Sequence, residues 1–194
     1  MENNQEKESD ETYKKVIALL DSNKIKYTHK VHEAVLTSEA SANLLEKNLK
    51  GGAKALFLAD KFTLSKLNSE KYEKVRTPQS PPYDPEGEDK KVPVYILAVM
   101  SAEKQIDWKA LKKLSGLKRM SFADLGKVKE LTGCLPGAVP PYGSLFGVKT
   151  FMDQSLVDQG DTIFYNAGLR TRTVEMATAD YLEVEKPFVC NFVK

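Results

Sequence analysis

Gly51-Gly52-Ala53-Lys54-Ala55-Leu56-Phe57-Leu58-Ala59-Asp60 is a short apolar run entered through two glycines. Residues 53–60 predict a strand, because the run is too short for a free-standing helix and alternation divides it cleanly. Lys54, Leu56 and Leu58 fall on one face, and Ala53, Ala55, Phe57 and Ala59 on the other. Both faces are apolar enough for burial, so the strand belongs inside a sheet covered on two sides. Lys54 is the anomaly. A lysine in such a strand is costly unless it stands at the strand's end or meets an anion. It is either a strand-end lysine reaching water or a cation aimed into a cleft.

Outward from this run, residues 92–100 form a second apolar strand, central in the sheet, with Pro93 at its start where a missing donor is tolerated. Residues 62–67 are a possible partner. Upstream, Tyr13, Val16, Ile17 and Leu20 recur at helical spacing, and Asp21-Ser22-Asn23 ends that helix. Residues 25–31 alternate as a short strand. Thr37 or Ser38 caps a helix through Leu44 and Leu45, closed by Gly51-Gly52. Downstream, Asp107 caps a helix stopped by Gly116. Ser121 with Asp124 reads as a capping-box start for another, ending at Thr132-Gly133. Residues 145–151, 162–165 and 170–176 are strand candidates, and 178–184 a short helix. Helices and strands mix without strict alternation, which predicts an α+β fold on a mixed sheet.

Two segments lack this patterning. Residues 1–11, with five acids and one lysine, read as a disordered tail ahead of a domain spanning 12–194. Residues 66–91 hold Pro78, Pro81, Pro82 and Pro85, four of the nine prolines, and read as a proline-rich insertion.

Composition removes several function classes. The 194 residues are 41% hydrophobic and 29% charged, a globular balance, and no apolar run approaches a membrane span. The polar, acidic start resembles no targeting peptide, so a cytoplasmic protein is expected. Cys134 and Cys190 are too few for a disulfide framework or a cysteine-rich zinc site. His29 and His32, beside Glu33, fall short of a metal-ligand set, so neither metal nor cofactor is expected. The segment from Gly143 to Thr150 imitates a P-loop, but Val148 separates Gly147 from Lys149 and the phosphate cradle is lost. Cys134 has no basic neighbour to activate it.

Besides Lys54, two features stand out. Leu135-Pro136-Gly137-Ala138-Val139-Pro140-Pro141-Tyr142-Gly143-Ser144 packs three prolines and two glycines into ten residues. It is a stiff loop that can hold backbone N–H groups in place, as an oxyanion site requires, and the donors near its centre are Gly137, Ala138 and Val139. Asn166-Ala167-Gly168 then turns the chain into Arg170 and Arg172, which would share a strand face. Each feature also has a purely structural reading, as a rigid turn or a solvated face.

Taken in order, these residues resemble the YbaK / prolyl-tRNA-synthetase-associated editing domain family. His32 followed by Thr37-Ser38-Glu39 is similar to its early histidine and helix start. Lys54 is similar to its central lysine, Gly137 to Pro141 to its Gly-x-x-x-Pro loop, Gly143 to the glycine after it, and Asn166-Ala167-Gly168 to its later turn. The resemblance covers about residues 13–184 outside the insertion. It implies a barrel-like mixed α/β core and metal-independent hydrolysis of mischarged aminoacyl-tRNA, most often tRNA for proline carrying alanine or cysteine. It implies catalytic roles for Lys54, Gly137, Ala138 and Pro141, with the loop orienting the ester and Lys54 holding the substrate's 3′ end. His32, Val139, Gly143, Asn166, Ala167, Gly168 and Arg170 would contact substrate, and Val139, Phe57 and Phe146 would wall the pocket. Some relatives carry a histidine after the late turn. Here Gly168-Leu169-Arg170 has none, which argues for an alanine- or cysteine-directed pocket. Such an ester is already activated, so positioning and electrostatics suffice without a strong base. The partner implied is tRNA, and the chain would be free-standing or joined to a prolyl-tRNA synthetase. The competing reading is a non-catalytic tRNA-docking module.

Charge agrees once it is resolved along the chain. The formal total is +2, but residues 12–194 hold 28 basic against 22 acidic residues, a net +6. Lys104, Lys109, Lys112, Lys113, Lys118, Arg119, Lys127 and Lys129 face only Asp107 and Asp124 in their stretch. That stretch leads straight into the Gly137 loop and is where an acceptor stem would lie.

Overall fold

The computed structural model describes residues 10–35, 43, 48–60, 70, 73, 75 and 93–194. The expected helix at 37–45, the strand at 62–67, the insertion and residues 1–9 of the tail lie outside the described residues or nearly so. Asp10 and Glu11 belong to the first helix: Asp10 precedes it and Glu11 opens it.

The strand that carries Lys54, β2 (Ala53–Asp60), follows β1 (Tyr27–Val31) and pairs antiparallel with β3 (Val94–Ser101) from Ala53↔Ser101 to Asp60↔Val94. Pro93 stands immediately before β3, as expected. The far edge of β3 pairs in parallel with β5 (Lys149–Asp153), which pairs in parallel with β8 (Phe188–Cys190). The short β4 (Met120–Phe122) pairs with the end of β2, giving the order β4-β2-β3-β5-β8. A second, antiparallel sheet runs β1-β7-β6, with β6 at Thr162–Asn166 and β7 at Arg172–Ala177. The sheets meet where Gly52 bridges Phe164. One edge of β2 thus serves β3, while the other meets β6 at its start and β4 at its end.

The alternation along β2 and β3 separates two cores. Phe57, Leu97 and Val99 join Val16 and Leu20 of α1 (Glu11–Ser22), Met152, Tyr165, Val174 and Tyr181 in a cluster fed by both sheets. Leu58, Ile96, Ala98 and Met100 face the other way, onto Leu111, Phe151 and Phe192. Fully burying each such side chain stabilises the fold by about 1.5–3 kcal/mol, so a slip of one residue in β2 would exchange the two sets.

The helices start and stop on their local chemistry. Asp107 accepts from the N–H groups of Lys109 (2.9 Å) and Ala110 (3.1 Å) and caps α2 (Trp108–Ser115), which ends on Gly116 at φ +77°. In α3 (Leu125–Thr132) the cap is Asp124, accepting from Lys127 N–H at 3.1 Å. The capping box expected from Ser121 does not form, because β4 pairing holds Ser121 extended. Three further boundaries differ from expectation. Residues 143–146 form a 3-10 turn before β5 begins at Lys149, since Gly143 and Gly147 punctuate that stretch. Arg170 lies in a turn ahead of β7, so only Arg172 is on the strand. The short β4, α4 (Gln154–Asp158) and β8 carry too few residues for a periodic signal. The last helix, α5 (Thr178–Glu185), follows β7 without a loop. No helix among the described residues is long and apolar enough to cross a membrane.

Candidate active site

The loop after α3 folds as a tight turn. Pro136 sets its second position and Gly137 its third, at φ +84°, and Ala138 N–H closes it onto Leu135 C=O at 3.0 Å. Ala138 is fully buried, while Gly137 is exposed. Of the three expected donors, Ala138 is therefore spent inside the turn. The N–H groups of Gly137 and Val139 meet no acceptor among the described residues.

Two carbonyls of this loop are held by the turn between β6 and β7. Asn166 Nδ2 donates to Gly137 C=O at 2.9 Å, and Gly168 N–H donates to Ala138 C=O at 3.0 Å. Gly168 sits at φ +92°, and a Cβ there would lie 2.7 Å from Tyr13 N and 3.0 Å from the Thr12 carbonyl carbon. Only glycine lets the turn reach the loop while α1 packs against its back. Ala167 is buried beneath, its N–H donating to Arg172 C=O at 2.9 Å.

The chain of contacts continues to His32. Thr173 Oγ1, buried in β7, lies 3.2 Å from Asn166 Oδ1 and 2.8 Å from His32 Nε2, and His32 Nδ1 lies 2.7 Å from Glu33 C=O. A carbonyl only accepts, so Nδ1 carries a hydrogen. Thr173 has one proton to give. With neutral imidazole it donates either to His32 or to Asn166. With imidazolium, Nε2–H donates to Thr173 and every link is made at once. The structure thus brings His32, Asn166, Ala167, Gly168, Gly137 and Ala138 into one network. Arg170 lies beside it, its C=O accepting from Val35 N–H at 3.0 Å.

The loop's second half is anchored by residues the sequence did not mark. Tyr181 OH donates to Pro141 C=O at 2.6 Å. Glu185 accepts from Ser144 N–H (3.2 Å), Ser144 Oγ (2.5 Å) and Thr150 Oγ1, which itself accepts from Gly143 N–H (3.0 Å). Burial raises the Glu185 carboxyl above the usual carboxylate range, opposed by those hydrogen bonds. Their one shared sequence signal is the i, i+4 spacing of Tyr181 and Glu185 on α5. A cavity of about 1090 Å³ opens beside the 3-10 turn, with Ser144, Phe146, Thr150, Glu185 and Leu131 on its walls. Phe57 and Phe146 touch edge-to-face at 6.2 Å, and Val139 packs on the same cluster.

Lys54 is placed differently. Its Nζ donates to Lys104 C=O at 2.7 Å and Ala102 C=O at 3.2 Å, in the connection after β3. Alternation sets it on the Leu56 and Leu58 face of β2, whereas Ala53, Ala55 and Phe57 share a cluster with Val139 and Tyr142. Cys134 is buried, its thiol donating to Thr132 C=O. Among the described residues, no three His, Cys, Asp or Glu side chains gather as a metal site.

Known proteins give this arrangement its family. Residues 32–184 match the family described as "Aminoacyl-tRNA editing domain". The chain is 31% identical, over 181 residues, to the multifunctional Ser/Thr-tRNA deacylase ProXp-y of Escherichia coli K12, covering 93% of this chain and 92% of that protein. The protein of the same description in Escherichia coli O157:H7 matches equally. Among solved structures, the hypothetical protein APE2540 superposes with a TM-score of 0.68 at 17% identity, over 93% of this chain and 99% of that one. A candidate trans-editing enzyme for prolyl tRNA synthetase gives 0.66 at 15%, over 95% and 98%, and these two share the fold. The motif order, the hydrogen-bonded loop and the full-length match agree: the chain belongs to the aminoacyl-tRNA editing domain family and is an aminoacyl-tRNA hydrolase of that family.

Proposed function

We propose that the chain hydrolyses the ester of tRNA mischarged with a small amino acid, with seryl and threonyl esters preferred and alanyl or cysteinyl esters on tRNA for proline taken more slowly. The observation that carries this reading is the polar chain His32–Thr173–Asn166 ending on Gly137 C=O. A site with fixed polar groups discriminates by hydrogen bonding to a substrate hydroxyl, which apolar walls cannot do as strongly. The description of the Escherichia coli relative as a Ser/Thr-tRNA deacylase supports the same order. It moves the preference away from the alanine and cysteine that the missing histidine alone favoured.

In this mechanism the ester carbonyl lies against Gly137 and Val139, and their N–H groups take the charge that develops on its oxygen. One such donor is worth about 2.7–4 kcal/mol, or 10²–10³ in rate. Water attacks, assisted by the free hydroxyl of the terminal ribose, and the ribose oxygen leaves with a proton. Lys54 is assigned to the 3′ end of the tRNA, with its ammonium oriented by two carbonyls. Arg170 and the basic surface of α2, β4 and α3 take the acceptor stem, in the cytoplasm and beside a prolyl-tRNA synthetase. Deacylation of seryl-, threonyl-, alanyl- and cysteinyl-tRNA by the purified chain tests the reading. Faster loss of serine and threonine supports it, and a chain that hydrolyses none of the four refutes it.

A further inference from the structure

The Gly137 loop is held at two places, and both holders belong to one continuous piece of chain. Asn166 and Gly168, in the turn joining β6 to β7, hold the carbonyls of Gly137 and Ala138. Tyr181 and Glu185, on the helix that follows β7 directly, hold Pro141 C=O and Ser144 N–H. Between the two grips lie only Val139 and Pro140. Val139 carries one of the two N–H groups without an acceptor among the described residues.

The second grip is built for location. Tyr181 and Glu185 are four positions apart, so both side chains leave the same face of α5, one turn apart. Tyr181 is fully buried and its hydroxyl is aimed at a proline carbonyl. Glu185 is 8% exposed and gathers three donors. Holding one backbone N–H would not require a buried carboxylate, whose desolvation is costly. A side chain with two polar atoms at its tip can serve a backbone N–H and two hydroxyls together, Oε1 taking Ser144 N–H and Thr150 and the second atom pairing with Ser144 Oγ. Gly143 completes the fit. A Cβ there would lie 2.6 Å from Val148 C=O and closer still to Thr150 Oγ1, so the segment cannot sit this deep with any other residue.

We propose that α5 is a clamp in which Tyr181 and Glu185 are positioning residues, setting where the Val139 N–H stands relative to the ester. The clamp rests on the deacylase reading of the loop. It assigns a catalytic consequence to residues that touch neither substrate nor reacting atoms.

The experiment uses the full chain and three variants, Tyr181→Phe, Glu185→Ala and Glu185→Gln, on seryl- and threonyl-tRNA. Misplacement by about 1 Å costs on the order of 10²-fold in rate, so Tyr181→Phe and Glu185→Ala should lower kcat by about 10- to 100-fold with KM within about threefold. Glu185→Gln keeps the shape and one acceptor, and should restore kcat to within about threefold of wild type. Amide hydrogen exchange, read without substrate, should show faster exchange at Ala138 in Tyr181→Phe and Glu185→Ala but not in Glu185→Gln. Wild-type kcat in the two disruptive variants, or a change confined to KM, overturns the clamp. If Glu185→Ala fails to fold, Tyr181→Phe alone decides, since it removes one oxygen. If the wild type deacylates nothing, the substrate reading fails, and the exchange data still judge the clamp: unchanged Ala138 exchange overturns it.

Discussion

Asn166 offers the sharpest separation of catalysis from stability. Its Nδ2 holds Gly137 C=O at 2.9 Å and its Oδ1 faces Thr173 Oγ1 at 3.2 Å. Asn166→Ala deletes both hydrogen bonds. Gly137 is exposed, so water can replace the missing donor to its carbonyl, and Thr173 can turn its proton to His32. Each neutral hydrogen bond is worth about 0.5–1.5 kcal/mol, and solvent recovers part of the first, so stability should fall by about 1–2 kcal/mol. The effect on rate should be larger, because the freed loop no longer holds the N–H groups of Gly137 and Val139: about 30- to 100-fold in kcat. Asn166→Asp sharpens the test. It keeps an acceptor for Thr173 but sets a carboxylate oxygen against Gly137 C=O, so its rate should be as low as that of the alanine variant or lower. Single-turnover release of amino acid from labelled seryl-tRNA measures the rate, and urea denaturation the stability. Full activity in Asn166→Asp rules out this role for the side chain, and so does a decline in rate that merely follows the unfolded fraction.

Other expectations concern packing, acidity and tRNA. Gly168→Ala combines a left-handed φ, about 1–2 kcal/mol, with a Cβ 2.7 Å from Tyr13 N, about 1–3 kcal/mol more. Gly133→Ala, at φ +68° with its nearest neighbour at 3.5 Å, should cost only the first part, so equal denaturation midpoints for the two would contradict this difference. Burial raises the Glu185 carboxyl above its ordinary 4.5, so the folded chain holds that proton more tightly than the unfolded one. That contribution is complete below about pH 4.5 and is lost as pH rises through the raised value. The stability of wild type minus that of Glu185→Gln should therefore fall as pH rises above about 4.5, and a rise would count against the assignment. Lys112→Glu with Lys113→Glu should weaken tRNA binding and flatten its salt dependence by about 0.7–0.9 in log–log slope for each phosphate no longer neutralised. Trp108 is the single tryptophan, with Lys112 Nζ 6.0 Å from its ring centroid and Phe122 edge-on at 5.2 Å, so its fluorescence reports that binding directly. Unchanged emission on tRNA titration would move the acceptor stem off this face.

The parts of the fold visible in the sequence are those fixed by nearby residues. The alternation of residues 53–60 specified both faces of β2, and Asp107 and Gly116 marked both ends of α2, because strand parity and helix caps act over a few residues. Ser121 misled for the same reason. Its local chemistry favours a cap, and a tertiary contact, the pairing of β4 with β2, overrode it. At the site, the stiff loop and the Asn166 turn were legible as motifs, but what joins them was not. Asn166 reaches Gly137 across 29 positions, Tyr181 reaches Pro141 across 40, and His32 reaches Thr173 across 141. Thr173, Tyr181 and Glu185 look locally like ordinary strand and helix residues. Only the closure of the fold brings them to the loop.

Lys54 shows how strand parity constrains chemistry. A strand gives each residue to one face, and Phe57 is committed to the cluster that holds Val139 and Tyr142. Lys54, three positions away, is therefore committed to the opposite face with Leu56 and Leu58. Its place near the start of the pairing, opposite Met100, lets the side chain leave the apolar surface toward Ala102 and Lys104 instead of remaining beneath it. Those carbonyls follow Ser101 and precede α2, the first helix of the basic surface. An ammonium held there adjoins the connection that leads into α2, and in the proposed reading its charge serves phosphate. In the same reading the ester oxygen is left to the N–H groups of the Gly137 loop, which are neutral dipoles and are screened by salt far less than exposed charges. The rate of the bound ester should then be nearly salt-independent, while capture of tRNA should weaken steeply as salt rises.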